Sequence, residues 1–185
     1  MQKTTLITGS TDGIGFEAAI AMCSQGHHVL LHGRSSAKLA DAQKTIVALT
    51  GGENIESYLA DLSDLADVEA LARAIAEKHD SIDVLINNAG IYKAASPITQ
   101  DGLDVRFVVN TIAPYLLTKK LLPQLGSTGR VINLSSAAQA PVDIDALAGR
   151  IRLDDMSAYA QSKLAITMWS NSMADALKDR GPVFV

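Results

Sequence analysis

Short apolar runs set between longer amphipathic stretches constrain this chain more than any other feature. Thr4–Thr8, His28–His32, Ile55–Ala60, Val84–Asn87 and Arg130–Leu134 read as strands. Helical spacing of apolar residues fills the gaps at Ile14–Gln25, Ser36–Leu49, Leu65–Lys78, Leu103–Leu122 and Ser157–Lys178. Strands rich in Val, Ile and Leu that alternate with helices predict a parallel sheet covered on both faces. Each crossover is expected to be right-handed. The expected fold class is α/β, with a doubly wound sheet. A length of 185 residues fits a single domain over residues 1–185.

The punctuation agrees with that reading. Gly26 is placed to stop the first helix, and Gly51-Gly52 to close the second. Ser63 precedes a helix with Asp64 and Asp67 in its first turn, where the helix dipole favours carboxylates. Pro123 is expected to end the Leu103–Leu122 pattern, and Pro114 to kink it or delay its start. Residues Ala137–Met156 break the rhythm with Pro141, Gly149 and four aspartates. A connection this long is either functional or a solvated excursion.

Composition removes several function classes. Hydrophobic residues are 48% and charged residues 19%, which argues against disorder. One cysteine, Cys23, allows no intrachain disulfide and no cysteine cluster for zinc, and reads as a small buried hydrophobe. His27 and His28 have no evident ligand cluster around them, so no metal site is expected. The net charge is −4 and the 16 basic residues are scattered, which excludes a nucleic-acid surface. No apolar run is long enough for a membrane span. A soluble, cytoplasmic protein is expected.

Thr8-Gly9-Ser10-Thr11-Asp12-Gly13-Ile14-Gly15 lies between the first strand and the first helix. Glycines permit a tight turn and close backbone approach to a ligand. The helix N-terminus behind them offers free N–H groups to a phosphate. The end of the second strand would then meet an adenosine ribose. An acid there would suit the 2′-hydroxyl of NAD, whereas an arginine accommodates the 2′-phosphate of NADP. The residues are Leu31-His32-Gly33-Arg34-Ser35-Ser36, without a carboxylate. Arg34 therefore favours NADP(H), with NAD(H) the alternative. Asp12 counts in the opposite direction if it faces the ribose.

These residues resemble the short-chain dehydrogenase/reductase family. Thr8–Gly15 is similar to its T-G-x-x-x-G-x-G turn, Asn87-Asn88-Ala89-Gly90 to its N-N-A-G, and Tyr159-Ala160-Gln161-Ser162-Lys163 to its Y-x-x-x-K. Ser135-Ser136 and Asn110 stand where the family carries its catalytic serine and asparagine. The resemblance implies a Rossmann-type domain and an oxidoreductase that moves a hydride between NADP(H) and an alcohol or carbonyl compound. It assigns Tyr159 as proton donor and acceptor, Lys163 to the phenol and the nicotinamide ribose, Ser136 to the substrate oxygen, and Asn110 to a water relay. Ser135 remains the alternative, because Gln139 stands where the family's serine pattern has glycine. Gly9, Ser10, Thr11, Gly13, Ile14, Gly15, Arg34, Asp61, Leu62, Asn88, Ala89 and Gly90 would contact the cofactor together with Tyr159 and Lys163. Asp61 would meet the adenine, or alternatively cap a helix. Asn87 would equally well support the sheet.

Tyr159 and Lys163, four apart on a helix, share a face. Phenols are poor bases at neutral pH, and a nearby ammonium favours the phenolate. The long Ala137–Met156 segment resembles the retinol-dehydrogenase-like branch, which often takes lipophilic alcohols and carbonyls. The two long helices Leu103–Leu122 and Ser157–Lys178 often form the family's dimer interface, so a homodimer or homotetramer is implied. Relative to the family, the chain stops at the start of the sixth strand, near Gly181–Val185. A truncated form with an open pocket wall and an exposed sheet edge is expected. A non-catalytic cofactor-binding module, or an interaction role with vestigial motifs, remains the alternative.

Overall fold

The computed structural model describes residues 1–178 and 180–185. The strands are β1 (Thr4–Ile7), β2 (His28–Gly33), β3 (Ile55–Leu59), β4 (Val84–Asn87), β5 (Arg130–Asn133) and β6 (Val183–Phe184). They form one parallel sheet in the order β3-β2-β1-β4-β5-β6. Register aligns Leu6 with Leu30 and Leu85, and Leu85 with Val131. Alternation then sends these leucines to one face and Ile7, Leu31 and Ile86 to the other.

The helices are α1 (Gly13–Ser24), α2 (Ser36–Thr50), α3 (Leu65–Lys78), α4 (Val105–Phe107), α5 (Ala113–Leu125), α6 (Ile144–Leu147) and α7 (Asp155–Leu177). Val68, Leu71, Ala72 and Ile75 of α3 and Leu117, Leu121 and Leu125 of α5 repeat at three or four residues. They close one core layer over Leu6, Leu30 and Leu85. Ala19 and Cys23 of α1 and Leu39 and Ile46 of α2 close the other over Ile7, Leu31 and Ile86. Cys23 is thus a packed core residue, and burial pushes its thiol pKa up. Among the described residues, no helix is long and apolar enough to cross a membrane.

Helix ends follow the sequence with local corrections. Gly26 and Gly51 adopt left-handed φ values of 76° and 67° after α1 and in the cap of α2. Asp64 is itself the cap of α3, accepting from the Ala66 N–H, and only Asp67 lies in the first turn. Pro123 does not end α5, which runs on to Leu125. The carbonyl four residues earlier belongs to Lys119 on the exposed face, where the loss of one N–H partner is least costly.

The predicted helix over Leu103–Leu122 is broken. Residues Val108–Ile112 form a π-helical turn between α4 and α5. Pro114 has no N–H for the Asn110 carbonyl, and the Ala113 N–H bonds back to Val108. The Ala137–Met156 segment contains α6, and its aspartates are structural. Asp143 caps α6 through the Asp145 and Ala146 N–H groups, and Arg150 pairs with Asp145 at 2.6 Å. Asp154 caps α7 through Ser157, whose hydrogen bonds hold the Asp154 carboxyl below the usual carboxylate range.

Candidate functional site

β1 and β4 are neighbours whose outgoing connections run to opposite faces, which makes their carboxyl ends the switch point of the sheet. A cleft of about 560 Å³ opens there. Its lining includes Gly9, Thr11, Gly13, Arg34, Asp61, Leu62, Asn88, Ala89 and Gly90, all expected from sequence. Asp12, His32, Gly33, Ala60, Ile91 and Val109 complete it.

The turn is stitched to β4. The Thr8 hydroxyl accepts from the Asn88 and Ala89 N–H groups at 3.0 and 3.1 Å. The Asn88 amide donates back to the Thr8 and Gly9 carbonyls at 2.8 and 3.0 Å. Gly9 has φ 63°, and a Cβ there would lie 2.9 Å from Ala89 Cα. Both facts require glycine at this position. A Cβ at Gly15 would meet Asn88 Nδ2 at 2.4 Å, so Gly15 lets the helix start pack on the same amide. Ser10 is fully buried, and its hydroxyl accepts from the His32 N–H at 2.9 Å. Ser10 and Gly15 therefore build the turn from beneath, while Ile14 is 73% exposed.

His32 ties the turn to the loop after β3. It is 2% exposed. Its Nδ1 accepts from the Gly9 N–H at 3.1 Å, and its Nε2 lies 3.1 Å from the Ala60 carbonyl. An obligate donor on one side and an obligate acceptor on the other select the neutral Nε2–H tautomer. Burial lowers its pKa to about 4, against smaller opposing effects of Ala60 and Asp61. One imidazole thereby spans the phosphate turn and the loop after β3.

Arg34 is exposed at the cleft and makes no hydrogen bond or ion pair with a described residue. Asp12 caps α1 by accepting from the Gly13 N–H at 2.8 Å, which holds its carboxylate at the helix start. Asp61 accepts from the Ser63 N–H and hydroxyl at 2.9 and 2.8 Å, closing a side-chain turn beside the cleft. Asn87 points away from the cleft and donates to Thr118 and Asn133 at 3.1 and 2.8 Å. Its role is to brace the sheet.

Gly90 and Ile91 connect the cleft to the second group of residues. The Asn110 side chain accepts from the Ile91 N–H at 2.8 Å and donates to the Ile91 carbonyl at 2.9 Å. It also donates to the Ser162 hydroxyl at 3.0 Å. The π-helical turn re-aims Asn110 toward this loop. A Cβ on Gly90 would lie 3.3 Å from Lys163 Nζ and 3.5 Å from Asn110 Oδ1, so these three meet at one point. Lys163 is buried and donates to the Leu134 carbonyl at 2.7 Å; burial pushes its pKa down. Its Nζ is 5.9 Å from the Tyr159 ring centroid, and Tyr92 packs edge-on against that ring.

The two serines lie just past β5 and take different partners. Ser135 donates to the Lys163 carbonyl at 2.8 Å and contacts Thr167, which ties it to α7. The Ser136 hydroxyl accepts only from the nearby Ala138 N–H, at 3.1 Å, among described residues. A further support, absent from the sequence reading, is Arg106. It is 2% exposed and bonds Asp104 through Nε and a terminal nitrogen at 2.8 and 2.6 Å, and Asp155 through the other. The bonds to Asp104 and Asp155 push its pKa up against burial. This network joins α4 to the first turn of α7, the helix that carries Tyr159 and Lys163.

Comparison with known proteins agrees with this geometry. The profile of the short chain dehydrogenase family matches residues 3–185. Human retinol dehydrogenase 13 is 34% identical over 184 residues, covering 97% of this chain and 56% of that protein. Human polyprenol dehydrogenase is 30% identical over 187 residues, covering 97% of this chain and 57% of that protein. A metagenomic short-chain oxidoreductase solved in complex with NADP superposes with a TM-score of 0.75 at 32% identity, covering 95% of this chain and 76% of that one. The chain thus spans little more than half the length of these curated relatives. Its sheet order, its glycine turn and its match over nearly every residue make it a member of the short-chain dehydrogenase family.

Proposed function

We propose that this chain carries the nucleotide-binding and catalytic residues of an NADP(H)-dependent oxidoreductase that interconverts alcohols and carbonyl compounds. The observation that carries the reading is the continuity from the switch-point cleft to Gly90, against which Lys163 and Asn110 both rest. The cleft suits a dinucleotide. Gly9 lets the turn pack directly on Ala89, and Gly13 begins a helix whose N-terminus favours phosphate. Arg34 is uncommitted and suits a 2′-phosphate. Asp61 and Leu62 line the adenine end, and Asn88, Ala89 and Gly90 the ribose end.

A bound nicotinamide supplies or accepts the hydride. Tyr159 gives its proton to the substrate oxygen in reduction and takes it back in oxidation. The Lys163 ammonium, fixed by Leu134, stabilises the phenolate as the proton leaves. Ser136 donates to the substrate oxygen. Asn110 holds the Gly90–Ile91 loop in register with Lys163 and would anchor a relay water. The names of the retinol and polyprenol dehydrogenases favour a small lipophilic alcohol or carbonyl substrate. Tyr115 and Met168, exposed apolar residues on α5 and α7, favour self-association into a homodimer or homotetramer, testable by sedimentation.

The test is Tyr159→Phe in an assay of NADPH oxidation against a panel of lipophilic aldehydes and ketones. Turnover is expected to fall by ~10²–10⁴-fold with cofactor affinity retained. Unchanged turnover would remove Tyr159 from the chemistry. A chain that binds NADPH yet reduces no carbonyl would favour the non-catalytic module.

A further inference from the structure

The opposite end of the sheet carries a cluster that the nucleotide cleft does not use. His28 opens β2, Glu56 lies on the edge strand β3, and His79 caps the end of α3. His28 stands four residues before His32, roughly 13 Å along the strand from the cleft. The residues are 28 and 23 positions apart in sequence, so no local motif announces them.

Both imidazoles turn the same nitrogen toward one carboxylate. His28 Nε2 is 3.3 Å from Glu56 Oε1, and His79 Nε2 is 3.3 Å from Glu56 Oε2. One ligand atom from each of the three residues lies within 4.8 Å of the others. All three side chains are mostly shielded, at 23%, 22% and 10% exposure. The His28 and His79 rings also pack edge-on with centroids 5.5 Å apart, which limits their freedom.

The surrounding groups show that this point attracts positive charge. Glu56 Oε2 is 2.8 Å from Lys78 Nζ and 2.9 Å from the Tyr58 hydroxyl. Burial works against the Glu56 charge, but the bonds from Lys78 and Tyr58 hold its carboxyl below the ordinary range. The Tyr58 hydroxyl donates to the carboxylate and orients it. Lys78 is 61% exposed, so its ammonium can turn into water and yield its place to another cation.

The ligand chemistry selects the class of ion. Two imidazoles and a carboxylate suit zinc, whereas magnesium and calcium favour all-oxygen sets. Tetrahedral zinc at about 2.0–2.1 Å from each ligand holds its ligand atoms roughly 3.3–3.4 Å apart. Each imidazole already stands at that separation from one carboxylate oxygen, His28 from Oε1 and His79 from Oε2. The three ligand atoms lie within 4.8 Å of one another, so a shared ion requires the three side chains to draw together.

We propose that His28, Glu56 and His79 form a zinc-class metal site, with water as the fourth ligand and Tyr58 hydrogen-bonded to the carboxylate. The ion would pin the end of α3 to the edge strand β3 and the start of β2. It stands apart from the proposed oxidoreductase chemistry and does not depend on it.

Calorimetric titration of the chelator-treated chain with zinc chloride tests the site. One zinc ion per chain should bind, and magnesium chloride should give no binding. Glu56→Gln and His79→Gln should each weaken zinc binding at least ~10-fold and leave NADPH binding unchanged. On the unaltered chain, zinc should protect His28 and His79 from diethyl pyrocarbonate and leave His27 reactive. Absent saturation, binding that survives both substitutions, or protection of His27 in place of His28 would each overturn the assignment.

Discussion

Gly9, Thr8, Asn88 and Ala89 meet through backbone groups and two short polar side chains, whereas Asn110, Lys163 and Arg106 hold their region together with buried side chains. The two regions share one cleft edge at Gly90. In the first, the chain conformation itself is the site, and a single Cβ would disturb it. In the second, the backbone is an ordinary helix apart from one π-helical turn, and function rests on which side chains are buried and paired. Substitution should therefore act through stability in the second region and through ligand affinity at the open rim of the first.

The largest expected effect lies at Arg106. Arg106→Ala leaves Asp104 buried without its partner, which should destabilise the fold by about 3–5 kcal/mol. Urea denaturation measures it, and a loss under about 1 kcal/mol would show that the network is not what joins α4 to α7.

His32 sharpens the comparison next. Its folded-state pKa of about 4 lies below the ordinary 6.5, so the native state binds fewer protons than the unfolded chain in that window. The stability it contributes is complete above pH 6.5 and is lost as pH falls toward about 4. The loss should approach about 3 kcal/mol. Stability curves of wild type and His32→Gln should converge as pH falls through that range. Parallel curves would mean that His32 is not held neutral by the turn.

Arg34 gives the smallest free-energy change and the most selective one. Arg34→Ala should weaken NADPH by roughly 10- to 100-fold, as for a lost hydrogen bond to a charged group, and leave NADH nearly unchanged. Equal losses for both cofactors would place Arg34 outside the 2′-phosphate site.

Much of this was legible in the residues. Strand runs such as Val84–Asn87 and the helix Leu65–Lys78 have the bounds that periodicity predicts, because burial on two faces leaves few other solutions. The glycine turn was legible because only glycine fits φ 63° against Ala89. The π-helical turn was half legible. Pro114 announced a disturbance, but the sequence could not say that it would take the form of a π-helical turn. His32, Arg106 and the Glu56 cluster were not legible. Their roles depend on partners such as Gly9, Asp155 and His79, between 23 and 49 residues away, which only the fold brings near.

The cleft is proposed as an NADP(H) site. Fluorescence titration of this chain with NADPH and, separately, with NADH tests it most directly. Saturable binding of both is expected, with NADPH at least ~10-fold tighter through Arg34. Equal or tighter binding of NADH, or no binding of either by a soluble, folded sample, would contradict it.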